Sequence, residues 1–292
     1  MSRSEAFAIL DYWGLTTSPF SVRPTRGGVI STASQEEAVA RMEFIVHNGR
    51  SGGLIVGAEG TGKTLLLDIF SERIRSAADA FLISAAGMDD VELLFRLAEQ
   101  SGGLLAPRRS PVWLRQAIES RFAAAAYQHR RWVVLLDDVA AARPDIAVGL
   151  TYLSRLRWDD CPPPALFLTA RPDEIRRIPR PCLNLPDLRI ELEPWEPEEV
   201  EAYVARQVQA AGREDWQSVF DPGAVRRIAE LSGGVPREVR RLADLCLTAA
   251  AGADVRPISP EMVDAVHDEL YPHRESPDAP RRRPREQEAR VQ

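Results

Sequence analysis

Residues Gly57-Ala58-Glu59-Gly60-Thr61-Gly62-Lys63-Thr64 place two glycines, one ammonium and one hydroxyl at the spacing Gly-x-x-x-x-Gly-Lys-Thr, with a third glycine between. This is the chemistry of a phosphate cradle. Glycines let successive backbone N–H groups curl around an anion, and the start of a helix adds partial positive charge. The apolar run Leu54-Ile55-Val56 precedes the loop and Leu65-Leu66-Leu67-Asp68-Ile69-Phe70 follows it, so strand, loop and helix come in the required order. Lys63 is expected at the β and γ phosphates and Thr64 as a hydroxyl ligand to Mg2+, with Gly57, Glu59, Gly60, Thr61, Gly62 and Leu65 completing the cradle. Lys63 is also the only lysine among 37 basic residues; all the others are arginine. The two residues interchange on most solvated surfaces, but a loop wrapped around a compact ammonium does not accept a planar guanidinium. A lysine retained against such a bias marks chemistry.

A second element, Val133-Val134-Leu135-Leu136-Asp137-Asp138, reads as a buried strand ending in two acids. Asp137 is expected to hold Mg2+ through its water shell, and Asp138 to polarise an attacking water. Many ATPases of this kind carry a glutamate at the second position. Aspartate is one methylene shorter, and a misplacement near 1 Å can cost roughly a hundredfold in rate, so slow hydrolysis suited to a switch is expected. Between Val56 and Val133 there is room for one more strand, supplied by Phe81-Leu82-Ile83-Ser84. That resembles the additional-strand P-loop ATPases rather than the small GTPases. With no Asn-Lys-x-Asp guanine signature, ATP is the expected nucleotide.

Competing chemistries fail on context. Gly49-Arg50-Ser51-Gly52-Gly53 fits a serine-hydrolase pattern but precedes a strand instead of joining strand to helix. His47, His129, His267 and His273 lack metal-ligand spacing, and Cys161, Cys182 and Cys246 form no Cys-x-x-Cys pair. No apolar stretch approaches the roughly 18 residues of a membrane span, and Met1-Ser2-Arg3-Ser4-Glu5 opens no secretory signal. A soluble, cytoplasmic protein is expected. The 292 residues are 45% hydrophobic, too apolar for a disordered chain, and carry a net charge of −6, which argues against a dominant DNA-binding surface.

The elements that must position these groups alternate. Apolar runs at Leu54–Val56, Phe81–Ser84, Val133–Leu136, Leu166–Thr169 and Leu188–Leu192 are separated by helical patterns at Thr64–Arg75, Val91–Gln100, Pro111–Gln128, Asp145–Arg157 and Pro172–Ile178. This predicts an α/β fold: a P-loop NTPase three-layer αβα core with a five-stranded, mostly parallel sheet. After Glu193-Pro194-Trp195-Glu196-Pro197 the strand signals stop. Pro197–Ala211, Pro222–Leu231, Pro236–Ala250 and Pro260–Leu270 read as helices with proline in the first turn, forming a small all-helical lid domain. The expected divisions are 1–50, a lead-in with a helix started by a Ser34/Glu37 capping box; 51–193, the core; 194–270, the lid; and 271–292, a disordered tail with Arg281-Arg282-Arg283.

Trp13-Gly14-Leu15 with Pro19-Phe20, the phosphate loop, Leu231-Ser232-Gly233-Gly234-Val235-Pro236-Arg237 and Leu245-Cys246-Leu247 together resemble the AAA+ ATPases of the general secretion pathway protein A type. These are similar to transposition-helper ATPases and more distantly to origin-recognition ATPases. The resemblance spans roughly residues 10 to 270 and implies further roles. Arg237 matches the sensor-2 arginine that reaches over the γ-phosphate. Arg189 falls where an arginine finger is offered to a neighbouring subunit, which implies a homo-oligomer. The polar sensor-1 group falls on Thr169 or Arg171. Three functions follow: a nucleotide-dependent switch in an oligomer; a DNA-binding helper using Arg176, Arg177, Arg180, Arg226, Arg227, Arg240, Arg241 and the tail; or a weakly hydrolysing secretion adaptor. Relatives in secretion carry a membrane span and a peptidoglycan-binding portion after the ATPase. Neither occurs here, so the secretion role is not expected to be inherited whole. The protein client is not identified by any motif.

Overall fold

In the computed structural model, residues 3–20, 32–102 and 110–271 are described; the expected tail beyond Tyr271, including Arg281–Arg285, lies outside them. Five strands, β1 (Gly52–Gly57), β2 (Ala78–Ser84), β3 (Arg131–Asp137), β4 (Ala165–Ala170) and β5 (Leu188–Leu192), form one sheet in the order β2-β3-β4-β1-β5. Every neighbouring pair is parallel. The helices are α1 (Arg3–Trp13), α2 (Ala33–His47), α3 (Lys63–Ile74), α4 (Asp90–Gln100), α5 (Pro111–Tyr127), α6 (Ile146–Ser154), α7 (Arg180–Leu183), α8 (Pro197–Ala210), α9 (Pro222–Ser232), α10 (Pro236–Ala253) and α11 (Pro260–Leu270).

The period of two in a strand divides its side chains between two layers. Along β3, Trp132, Val134 and Leu136 pack with α4, α5 and α6, while Val133 and Leu135 pack with α2 and α3. Both faces are covered, which is why these runs are continuously apolar. A third cluster is helical. In α8, Val200, Val204 and Val208 recur every fourth residue and bury against α9, α10 and α11, each such side chain contributing about 1.5–3 kcal/mol. Trp13, Leu15 and Phe20 belong to this same cluster, so the chain enters it from both ends. The Trp13 indole is 1% exposed and donates to the Leu247 carbonyl at 3.0 Å.

Three local expectations are corrected. The cap of α2 is Thr32 with Gln35, not Ser34 with Glu37: the Thr32 hydroxyl accepts from the Gln35 amide while the Gln35 side chain accepts from the Thr32 amide. The Ser34 hydroxyl instead donates to Glu199 of α8 at 3.0 Å, a contact no local pattern encodes. Pro172–Arg177 is a 3-10 turn and not an α-helix, and the helix expected from Asp145 to Arg157 is confined to Ile146–Ser154.

The strand order sets up the site. Because β4 lies between β1 and β3, its last residues stand between the phosphate loop after β1 and the acids after β3. Thr169 is in register with Ile55, one residue beyond the Leu168–Leu136 pair, so its hydroxyl reaches the end of β3. In open parallel sheets ligands collect outside these carboxyl ends.

Candidate functional site

Gly57 closes β1, and Gly62, at φ 94°, starts α3 without any side-chain cap, leaving the first amides of that helix uncapped by side chains. Thr61 is buried and turns inward, donating to the Ala58 carbonyl at 2.9 Å, so it shapes the loop from within. Lys63 is 8% exposed. Its Nζ donates to the carbonyls of Gly57 at 2.8 Å and Ala58 at 2.9 Å, folding the ammonium over its own loop. Burial pushes the Lys63 pKa down; the charges of Asp138 and Asp137 oppose this, and Arg171 and Arg237 lower it further. The ammonium therefore shares its surroundings with both acids and both arginines.

The two acids are arranged differently. Asp137 is fixed at both oxygens: Thr64 Oγ1 donates to one at 2.5 Å and Thr169 Oγ1 to the other at 2.6 Å. The Thr169 hydroxyl, fully buried, also accepts from the Asp138 amide at 2.9 Å. Asp138 itself sits at φ 56°, ψ 49°, a left-handed conformation that Asp and Asn tolerate better than longer residues. That gives a backbone reason for aspartate at this position. Burial and the Asp137 charge raise the Asp138 pKa, with Lys63 opposing. One helical turn after Thr64, the Asp68 pKa is raised too, by burial and then by the Asp137 charge, a proximity that spacing along the chain does not encode.

Of these groups, Lys63, Thr64 and Asp138 line a cleft of about 590 Å³ between the sheet and the helical cluster, within the range of small-molecule sites. Glu59, Gly60, Lys63, Thr64, Leu65, Asp138, Arg171 and Arg237 line its polar end. Arg237, at the start of α10, donates through its side chain to Glu59 at 2.8 Å and through its amide to the Gly60 carbonyl at 3.2 Å. Arg171 donates to Glu59 at 3.2 Å and to Glu174 at 2.6 Å, while its Nε is buried without a hydrogen-bond partner. The other end is built by Thr17, Ser18, Pro19, Trp195, Tyr203 and Ala211. Thr16 anchors that segment by donating its amide and hydroxyl to the Ala211 carbonyl, at 2.8 and 2.9 Å. Only the Pro19-Phe20 signature hinted at this wall, and it carried no role.

Arg189 is not brought to this cleft. It lies on the edge strand β5, opposite Leu54, exposed and paired with Glu191 at 2.8 Å. Of the arginines grouped as a DNA surface, Arg227 is bound to Asp264 and Glu230, Arg240 donates to the Phe20 carbonyl, and Arg241 lies over the Tyr271 ring. No helix among the described residues is long and apolar enough to cross a membrane.

An all-parallel sheet in this order, with a phosphate loop after β1 and acids after β3, is a P-loop NTPase three-layer αβα fold. No protein-family model matches the chain. The fold is shared with the structure of Cdc6p from Pyrobaculum aerophilum at TM-score 0.65 and 17% identity, covering 87% of this chain and 70% of that one. The ORC2 protein of Aeropyrum pernix, solved as ADPNP–ADP complexes, gives TM-score 0.62 and 14% identity over 86% of this chain and 71% of that one. By sequence the chain is similar to General secretion pathway protein A of Aeromonas hydrophila, 26% identical over 243 residues, or 82% of this chain. Those residues span 44% of that relative's length, so the match is to less than half of it.

Proposed function

We propose that the protein binds ATP with Mg2+ in the cleft between sheet and helical cluster and hydrolyses it slowly as a conformational switch. The observation that carries this is convergence: Lys63 and Thr64 from the loop, Asp138 just after β3 and Arg237 from the helical side line one cavity, with Asp137 hydrogen-bonded to Thr64 and, behind it, to Thr169 of β4. The donor set suits the ligands. Lys63 has a third N–H beyond its two carbonyls, suited to a phosphate oxygen, and Arg171 Nε is a buried donor without a hydrogen-bond partner, 3.8 Å from Asp173. Thr64 and Asp137 offer one hydroxyl and one carboxylate, the small hard-oxygen set with which Mg2+ is held together with substrate phosphates. When bound, that ion would neutralise phosphate charge. Thr169 holds Asp137 and the Asp138 backbone in place, which favours it over Arg171 as the sensor-1 group. Asp138, a carboxylate made more basic by its surroundings, is the acceptor for the proton of an attacking water. Core and lid are read as domains divided near residue 193.

Arg189, exposed and outside its own cleft, would act on a neighbouring copy, making the active form a homo-oligomer. Mixing Arg189→Ala with Lys63→Ala protein tests this: each alone is inactive, and a mixture regains part of the turnover if the site is shared. A mixture as inactive as its components would reject the trans role. DNA binding is a second reading, favoured by exposed Arg176, Arg177 and Arg180 on one surface segment. Phosphate-driven binding should weaken steeply between two salt concentrations, and no binding at low salt with ATP present would reject it.

A further inference from the structure

The geometry points to Glu59 as an internal competitor for the nucleotide's terminal phosphate, a carboxylate that holds Arg237 and Arg171 until a triphosphate displaces it. This rests on the ATP-binding reading above and adds a selectivity role to one residue of the loop. Each oxygen of Glu59 takes one arginine: Oε1 accepts from Arg237 at 2.8 Å and Oε2 from Arg171 at 3.2 Å. The neighbouring loop carbonyls, Gly57 and Ala58, take the Lys63 ammonium. Three consecutive loop residues therefore engage three cations lining one cleft. Arg171 and Arg237 both depress the Lys63 pKa, so all three cations address the same space.

The two arginines are held unequally. Arg171 keeps Glu174, whose side chain is only 12% exposed, when Glu59 withdraws. Arg237 has no second carboxylate among the described residues. Its backbone contact is with the loop as well: the Arg237 amide donates to Gly60. Gly60 has φ 83°, and a Cβ there would lie 2.9 Å from Val235 and 3.0 Å from Arg237, so α10 seats directly on the loop apex. Loop and helical side are thus tied by one ion pair and one backbone bond. A phosphate carries more negative charge and more acceptor oxygens than a carboxylate, and can take over the arginine fork. A diphosphate lacks the group that competes, so the effect of Glu59 falls on ATP and much less on ADP.

The test is calorimetric titration of wild type, Glu59→Gln and Lys63→Ala with MgATP and MgADP, with amide exchange of the nucleotide-free proteins read at the start of α10. Glu59→Gln is expected to bind ATP roughly two- to tenfold more tightly, the scale of one or two exposed ion pairs, with ADP changed less than about twofold. Exchange at the Arg237 amide is expected to quicken in nucleotide-free Glu59→Gln, because the tie between loop and α10 loosens. Unchanged or weaker ATP binding by Glu59→Gln, with wild type binding and Lys63→Ala not, overturns the competitor role and leaves the ATP reading standing. Wild type that binds neither nucleotide overturns both.

Discussion

Replacing Thr169 by valine removes one hydroxyl and no volume from the end of a buried strand, where valine is a favoured residue. That hydroxyl donates to Asp137 at 2.6 Å and accepts from the Asp138 amide at 2.9 Å, and it is fully buried. Losing a hydrogen bond to a charged partner costs about 1.5–3 kcal/mol, and the Asp138 N–H is left without its acceptor, so about 2–3 kcal/mol is expected in total. For a chain of this size that lowers the melting temperature by roughly 3–5 °C. The phosphate loop is untouched, so ATP affinity should move by less than about threefold, whereas turnover should fall about 10- to 100-fold, the usual scale for a carboxylate misplaced by a fraction of an ångström to one ångström. Thr169→Ser restores the hydroxyl and should recover most of both losses. Thermal melts and single-turnover hydrolysis of the three proteins make the measurement. A valine variant melting within about 1 °C of wild type and hydrolysing at the same rate would refute the claim that Thr169 organises the acid pair.

Other substitutions probe separate steps. The Asp138 pKa is raised above 3.8, so the stability this group contributes is present below pH 3.8 and is lost as pH climbs through the folded value. Ionised Asp138 therefore costs stability at pH 7: Asp138→Asn, which tolerates φ 56°, should melt higher than wild type at pH 7 while losing turnover, and a lower melting temperature would contradict the electrostatics. Because turnover needs the carboxylate, the rate should rise with pH through a midpoint above that of an ordinary aspartate, and a rate flat across this range would count against Asp138 as base. Gly234 has φ 69°, and a Cβ there would lie 2.0 Å from the Trp195 carbonyl oxygen, so Gly234→Ala should destabilise by more than about 2 kcal/mol in denaturant melts.

The sheet was legible because its inner strands β1, β3 and β4 are buried on both faces: Leu54–Val56 and Val133–Leu136 leave no solvent side to interrupt the apolar run. The lid helices were legible through their prolines, which sit at the first turn of α8, α9, α10 and α11. Contacts made over long sequence distances were not. Ser34 looked like a cap because local pattern favoured it, yet its hydroxyl is used by Glu199, 165 residues away. No helix was read over Arg3–Trp13, because Trp13 and Leu15 find their place only by packing on α10 and its partners. Glu59 was expected only as part of the phosphate cradle, and nothing local shows that it meets Arg171, 112 residues on, and Arg237, 178 residues on. The Thr169–Asp137 bond follows from strand order, which spacing along the chain does not encode.

The central claim is that one cleft binds ATP through Lys63. Calorimetric titration of MgATP into wild type and Lys63→Ala protein tests it most directly. Removing a buried ammonium from the phosphates of a charge-assisted site should weaken binding at least about tenfold to a hundredfold, the scale of one charged hydrogen-bonded contact. Saturable binding by wild type that is lost in Lys63→Ala, with both proteins folded, is the predicted result. Equal affinity in the two proteins would contradict the account.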